Sequence, residues 1–310
     1  MRVVEKAERS VTIVEKNNKH NSNTYFIGFD LCDDDSFLSY WDYGKGKPQS
    51  INPTGGYGSE QIPTVVLYNS HTNEWLVGHD AVLNEAEDGV YRISNFVRDM
   101  GDQVSYEIDG KEYYSNEILA IFFQGTLDYI KKLNPNSHLE AIMVTVEDLN
   151  VNASQVITKA LESYGIPKEN IYMESYLESG VSYIVSEKLP QKRAGIFNLS
   201  ESGLRYYQIS IQNLLSTLQV SVSEVDLSHL LSGVEIHHIV KDYIRELYKV
   251  MRKQEELTSE DDALIDSVYY KNKQFIFSKL TQNQNANIYF NALYPPLKME
   301  LSPEILNRQI

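Results

Sequence analysis

YFIGFDLCDDDSFLSYWD, residues 25–42, reads as two β-rich runs, YFIGFDLC and SFLSYWD, joined by a turn that carries Asp33, Asp34 and Asp35 in succession. Three adjacent carboxylates repel one another and repel any anion. Two readings of the turn stay open: a solvated hairpin turn, since Asp suits turns by bonding its own backbone, or a divalent-cation site using Asp30, Asp33 and Asp35. An EF-hand loop is excluded by spacing, because Leu38 stands where that loop needs glycine.

Working outward, residues 1–24 are charged and asparagine-rich and read as a flexible tail with room for one short helix or strand. After the acidic turn come a glycine-rich loop (Gly44, Gly46, Gly55, Gly56, Gly58), two short strands at IPTVVLYN and EWLVG, and helix and loop over about 80–101. From Ser115 the period changes to that of a helix, with Leu119, Phe122, Phe123, Leu127 and Ile130 on one face and Ser115 as N-cap. A buried strand at LEAIMVTV, a helix over about 152–164 closed by Gly165, and a strand at ENIYMES make a β-α-β unit, which implies parallel strands covered by helices. Another helix follows over about 175–187.

The opening pattern then returns. AGIFNLSESGLRYYQISI, residues 194–211, is again strand, turn and strand, with LLSTLQVSVSEVD as a third strand. FDLCDDDSF lies over FNLSESGLR, pairing Phe29 with Phe197, Asp30 with Asn198 and Leu31 with Leu199, a weak internal repeat that marks two related lobes. Helices follow over about 228–281, the first with Ile236, Val240, Tyr243, Leu247 and Met251 as its stripe, then a strand at NIYFNAL. Ser302, Pro303 and Glu304 open a helix within about two turns of Ile310, so the chain reads as a truncated piece. The expected division is a tail at 1–24, a first lobe at 25–190 with an insertion near 44–114, and an incomplete second lobe at 191–310 with a helical insertion near 228–310.

With 43 acidic against 28 basic residues the net charge is −15, which disfavours nucleic acid and anionic membrane as partners. The single cysteine, Cys32, forbids an internal disulfide and a cysteine-based zinc site and fits a reducing cytoplasm. No segment approaches the roughly 18 apolar residues of a membrane span, and the start lacks a signal-peptide core. Neither a P-loop nor a GxSxG elbow is present, and His237 and His238, being adjacent, point about 100° apart on a helix.

Two lobes that each begin with strand-turn-strand and each carry an insertion resemble the actin-like ATPase superfamily, and most closely the nucleotide-binding domain of DnaK-type heat-shock chaperones. The resemblance runs collinearly through FIGFDL, IPTVVLYN with LVGHDA, SNEILAIFFQGTLDYIKKL, VTVEDLNVNASQVITKALESYGI with YMESYLESGVSYI, and AGIFNLSESGLRYYQIS. It implies an α/β, two-lobed, ribonuclease H-like fold with a helix-containing insertion in each lobe, and two phosphate-binding turns. In this chain those turns hold Cys32, Asp33, Asp34 and Asp35, and Asn198, Leu199, Ser200, Glu201, Ser202 and Gly203. At an effective dielectric of about 20, two like charges 4 Å apart cost roughly 4 kcal/mol, so such a turn rejects a triphosphate unless metal intervenes.

By the same resemblance Val97 stands where a catalytic lysine is expected, and Phe277, Ser278 and Thr281 where a basic pair and a serine would hold the nucleoside. Glu174 matches the glutamate near the metal-bound water and is the sole candidate catalytic residue. The expectation is a cytoplasmic, DnaK-like module with a degenerate nucleotide site that binds or scaffolds protein partners without catalysis. The alternatives are a chaperone-like ATPase holding ATP and magnesium through Asp30, Asp33, Asp34, Asn198, Ser200, Ser202 and Gly203, or a filament-forming actin relative.

Overall fold

The computed structural model describes residues 7–10, 24–42, 45–51, 60–85, 88–102, 104–133, 138–186, 193–200, 202–214, 217–228, 232–306 and 308. Most of the glycine-rich loop and Glu201 lie outside them.

The chain is a mixed α/β protein. Its first strand, β1 (Ala7–Ser10), is a short strand of the kind for which the reading of residues 1–24 left room, and it pairs antiparallel with a strand more than 200 residues later. β2 (Thr24–Asp30) and β3 (Asp35–Asp42) form the hairpin expected around the acidic turn. β4 (Lys47–Ile51) and β5 (Gln61–Pro63) both pair with β3. β6 (Val66–Asn69), β7 (Glu74–Val77) and, beyond α1 (Gly78–Leu83), β8 (Val90–Ile93) make a small antiparallel sheet. A 3-10 turn at Arg98–Gly101 and a hairpin of β9 (Ser105–Ile108) and β10 (Lys111–Tyr114) lead into α2 (Ser115–Leu133). Ser115 is the first residue of α2 and does not cap it. Its hydroxyl donates to the carbonyls of Asp99 and Val104, and the Glu117 carboxylate receives the Tyr114 N–H instead.

β11 (His138–Val146), α3 (Val151–Tyr164) and β12 (Ile171–Ser175) are the expected β-α-β unit, with β11 parallel to both β2 and β12. Asn150 caps α3 by accepting the Ala153 N–H, and Gly165 ends it at φ 100°, a conformation that favours glycine. The main sheet therefore runs β12-β11-β2-β3-β4. Phe29 lies at its centre, 0% exposed, edge-on to Phe122 and Phe123 of α2. All five residues expected on the inner face of α2 are buried.

The second sheet follows α4 (Tyr176–Ser186). It is an antiparallel meander of β13 (Arg193–Leu199), β14 (Leu204–Leu214) and β15 (Thr217–Ser228), in the order β1-β15-β14-β13. One face packs Ile196 and Ile209 against Val181 of α4. The other face leaves Phe197 70% and Leu199 60% exposed. The overlay of Phe29 on Phe197 thus joins a core ring to a surface ring.

α5 (Gly233–Arg252), α6 (Ser259–Thr281), the hairpin of β16 (Ala286–Phe290) and β17 (Leu297–Leu301), and α7 (Pro303–Leu306) complete the described chain. They share a core of their own that includes Tyr248, Ile265, Tyr269, Ile288, Phe290 and Leu301. Of the stripe expected on α5, Val240 and Tyr243 are buried, but Met251 is exposed because the last turn of the helix runs past its neighbours; Ile244 and Tyr248 are buried in addition. A capping box of Thr258 and Asp261 starts α6.

Gly125 sits where α2 crosses β7. A Cβ there would collide with Val77, meeting Cγ1 at 2.9 Å and Cγ2 closer still. Gly125→Ala should therefore destabilise by about 1–3 kcal/mol despite its better helix propensity. A denaturant midpoint equal to or above that of the parent would refute this packing.

Candidate functional site

A cleft of about 1250 Å³ opens between the C-terminal ends of β2 and β11 on one side and the β13–β14 turn with the start of α5 on the other. The acidic turn forms much of its floor. Leu31 N–H donates to the Thr145 carbonyl (2.8 Å) and Thr64 N–H to the Asp34 carbonyl (2.8 Å), while the buried hydroxyls of Ser36 and Thr64 bond each other at 2.8 Å. These contacts fix the backbone, so the carboxylates point where the turn sends them.

Each carboxylate finds a different partner. Asp33 accepts the Arg98 N–H at 3.1 Å and faces the Arg98 guanidinium at 3.9 Å; burial pushes its carboxyl up, and Arg98 offsets part of this. Asp34 meets the Lys273 ammonium and His237 Nε2 (2.8 Å). Burial would raise the Asp34 carboxyl, but the His237 hydrogen bond and the Lys273 charge outweigh it and hold it well below the usual carboxylate range. Asp35 lies 2.7 Å from the same ammonium. Lys273 is only 8% exposed, and although burial disfavours its charge, Asp35 and Asp34 push it well above the ordinary lysine value. His237 Nδ1 meets the Tyr269 hydroxyl, an arrangement that an imidazole protonated at Nε2 satisfies at both nitrogens. The cations on the acidic turn are thus side chains of this chain, Lys273 of α6 on Asp34 and Asp35 and Arg98 on Asp33.

The second turn is held in the same way from the opposite lobe. Ser200 and Ser202 both donate their hydroxyls to Glu147, at the end of β11. Arg205 reaches Asp148 at 3.2 and 3.4 Å. Burial would lower the Arg205 guanidinium, but Asp148, with Tyr207 and Glu147, holds it above its ordinary value.

Asp30 and Asn198, the matched residues of the two lobes, both line the cleft, and among the described residues Asp30 Oδ1 and Asn198 Nδ2 are buried without a hydrogen-bond partner. Burial raises the Asp30 carboxyl against hydrogen bonds from Tyr176 and Cys32. The Cys32 Sγ lies 2.8 Å from the Tyr176 hydroxyl. Of the sequence-derived site residues, Asp30, Asp33, Asp34, Asp35, Asn198, Ser200 and Ser202 come together in the cleft. Gly203 contributes its carbonyl to Ser200, and Glu174, on β12, is not among the lining residues; burial and then Glu178 raise its carboxyl. Among the described residues no three His, Cys, Asp or Glu side chains are placed to hold a metal ion. Asp30, Asp33 and Asp35 turn to Tyr176 and Cys32, to Arg98 and to Lys273 respectively, so they do not converge as a ligand set.

Sequence reasoning missed Lys273, Glu147, Asp148 and Arg205, and it set His237 aside as unable to share a metal with His238. One signal was available: Lys273 shares a helical face with Tyr269, Tyr270 and Phe277, where a lone cation on an aromatic stripe implies a buried partner. No described helix is long and apolar enough to cross a membrane.

No curated protein matches the chain significantly. One family model does, over residues 47–278, which takes in His237 and Lys273 but begins after the acidic turn. Its description is Family of unknown function (DUF5716) C-terminal. The match spans well over half of the sequence, and the chain belongs to that family.

Proposed function

We propose that this chain is a cytoplasmic module on the two-lobed, actin-like plan, DnaK-like in organisation, that binds or scaffolds protein partners and does not hydrolyse ATP. The two sheets that each open with an antiparallel strand-turn-strand, and the cleft between those turns, support the plan. The observation that carries the non-catalytic reading is the occupancy of the turns that the resemblance assigns to phosphates. One is taken by Lys273 and His237, the other is bound to Glu147, and carboxylates line both. A triphosphate entering here would have to displace an internal ammonium and then face Asp33, Asp34 and Asp35. Val97 and Arg98 lie at the cleft wall where the resemblance expects lysine.

Calorimetric titration with ATP and magnesium should give no saturable heat at micromolar concentrations. Micromolar binding that is lost on adding a chelator would refute the proposal and restore the ATPase alternative.

A further inference from the structure

We propose that this chain pairs with a second copy of itself along the open edge of β13, the two strands running antiparallel about a two-fold axis at Ile196. The contact does not depend on what the cleft holds. The first lobe shows what such a strand has beside it: β2 lies between β3 and β11, and α2 covers Phe29. β13, its match, pairs among the described residues with β14 alone. Phe197 and Leu199 stand 70% and 60% exposed on its face away from α4.

The other outer strands of the main and second sheets are blunted. β4 carries Lys47 and Pro48, β1 carries Glu8 and Arg9, and β12 carries Glu174. Charge and proline at an edge keep foreign strands away. β13 reads RAGIFNL, without proline, and its only charge is Arg193 at the first position. An edge this neutral and apolar, in a chain of net charge −15, suits pairing better than exposure to water.

The strand is complementary to itself. Ser200 N–H donates to the Gly203 carbonyl across the β13–β14 turn, so by antiparallel alternation Asn198, Ile196 and Ala194 also bond β14. The N–H and C=O groups of Arg193, Gly195, Phe197 and Leu199 therefore point out along the open edge. Setting two copies antiparallel with Ile196 opposite Ile196 places Gly195 against Phe197 and Arg193 against Leu199, so each outward residue meets another and both backbone bonds can be exchanged. A slip by one residue would turn outward groups on to groups already bonded to β14, which selects this register.

The side chains agree with the backbone. A Cβ on Gly195 would meet the Tyr206 ring at 2.9 Å, so that ring leans over the glycine, its centre 4.7 Å from that of Phe197. Phe197 of the second copy, arriving opposite Gly195, joins this pair. The axis thus gathers two Phe197 and two Tyr206 rings, flanked by the cross-strand pair of Leu199 and Leu204. The antiparallel direction also keeps the two Arg193 side chains at opposite ends of the contact. An isologous contact of this kind uses the same edge on both copies and closes at two. In the dilute monomer Phe197 remains on the surface.

Analytical ultracentrifugation of the full chain over a wide concentration range should show a reversible monomer–dimer equilibrium with no larger species. Added salt should shift it toward dimer by screening the like net charges. Phe197→Lys sets a charge beside the axis at an exposed position, and it should weaken dimerisation by more than about tenfold while circular dichroism stays that of the parent. Register is read by cross-linking, with Cys32→Ser removing the native thiol. A chain carrying Arg193→Cys and Leu199→Cys should form disulfide-linked dimers, and Arg193→Cys alone should not. The cross-link needs no change at Phe197 and decides by itself if the Phe197→Lys chain fails to fold. A chain that stays monomeric at every concentration, grows into open-ended polymers, or dimerises as tightly with Phe197→Lys would overturn the proposal. So would cross-linking through Arg193→Cys alone.

Discussion

Phe29→Ala is expected to destabilise the protein by about 3–5 kcal/mol, the largest effect of any single substitution considered. The ring is 0% exposed at the centre of the main sheet, and it stands edge-on to Phe122 at 6.0 Å and Phe123 at 5.1 Å between centroids. Truncation removes the transfer energy of a buried aromatic ring and its edge-to-face contacts, and it leaves a cavity that β2, held on both sides by neighbouring strands, cannot close. Phe197→Ala is the control. It is the matched residue of the second lobe by sequence, but with 70% of its surface exposed it should cost no more than about 0.5 kcal/mol. Equal shifts of the denaturation midpoint for the two variants would mean that the second sheet buries the face described as open.

The second large effect is on acid stability. Asp34 has a folded-state pKa depressed by His237 and Lys273, so its contribution is complete above the ordinary carboxylate value of about 4 and is lost as pH falls through the depressed one. Lys273 is raised, so its contribution is complete below the ordinary lysine value of about 10 and is lost only in strong alkali. The ion triad therefore persists across the neutral range.

Asp30 and Asp33 behave oppositely. Burial raises both, so the folded state binds their protons more tightly than the unfolded chain, and stability rises as pH falls from neutrality through their raised values. Relief of a net charge of −15 acts in the same direction. The melting temperature should accordingly peak in mild acid, between neutrality and about pH 4, and fall steeply below that. Asp34→Asn should destabilise the protein at neutral pH by roughly the 1.5–3 kcal/mol of a hydrogen bond to a charged group, seen as a lower melting temperature, and flatten the acid limb. Parallel melting curves for Asp34→Asn and the parent across pH 2–8 would show that the triad does not carry acid stability.

Much of the first lobe was legible because its signals are local. The inner face of α2 repeats at three and four residues, YFIGFDLC is an apolar run, and LEAIMVTV and ENIYMES flank the one helix, α3, that is closed by Gly165. β4, with the sequence KPQSI, and β10, with KEYY, escaped notice because edge and hairpin strands that bury little carry no apolar alternation. The candidate site was legible only by half. The two turns were picked out as a pair, and they do face one cleft. Their partners were not, because Asp34 and Lys273 are 239 residues apart and no pattern of spacing links them. An acidic turn looks identical in sequence whether it faces water, a metal or a lysine; burial decides, and burial is a property of the folded chain.

The short strand Ala7–Ser10 has a practical consequence for how the chain is assembled and handled. It joins the outer edge of the second sheet while the next described strand, Thr24–Asp30, enters the middle of the first. Within residues read as a flexible tail, Ala7–Ser10 is therefore an edge strand whose partner exists only when β15 has been synthesised. The loop so closed exceeds 200 residues, but its entropic cost grows only logarithmically with length, so lateness and not entropy is the burden. During synthesis this strand waits unpaired, and an expression boundary set at Tyr25 would leave the edge of β15 bare, a template for pairing with another chain.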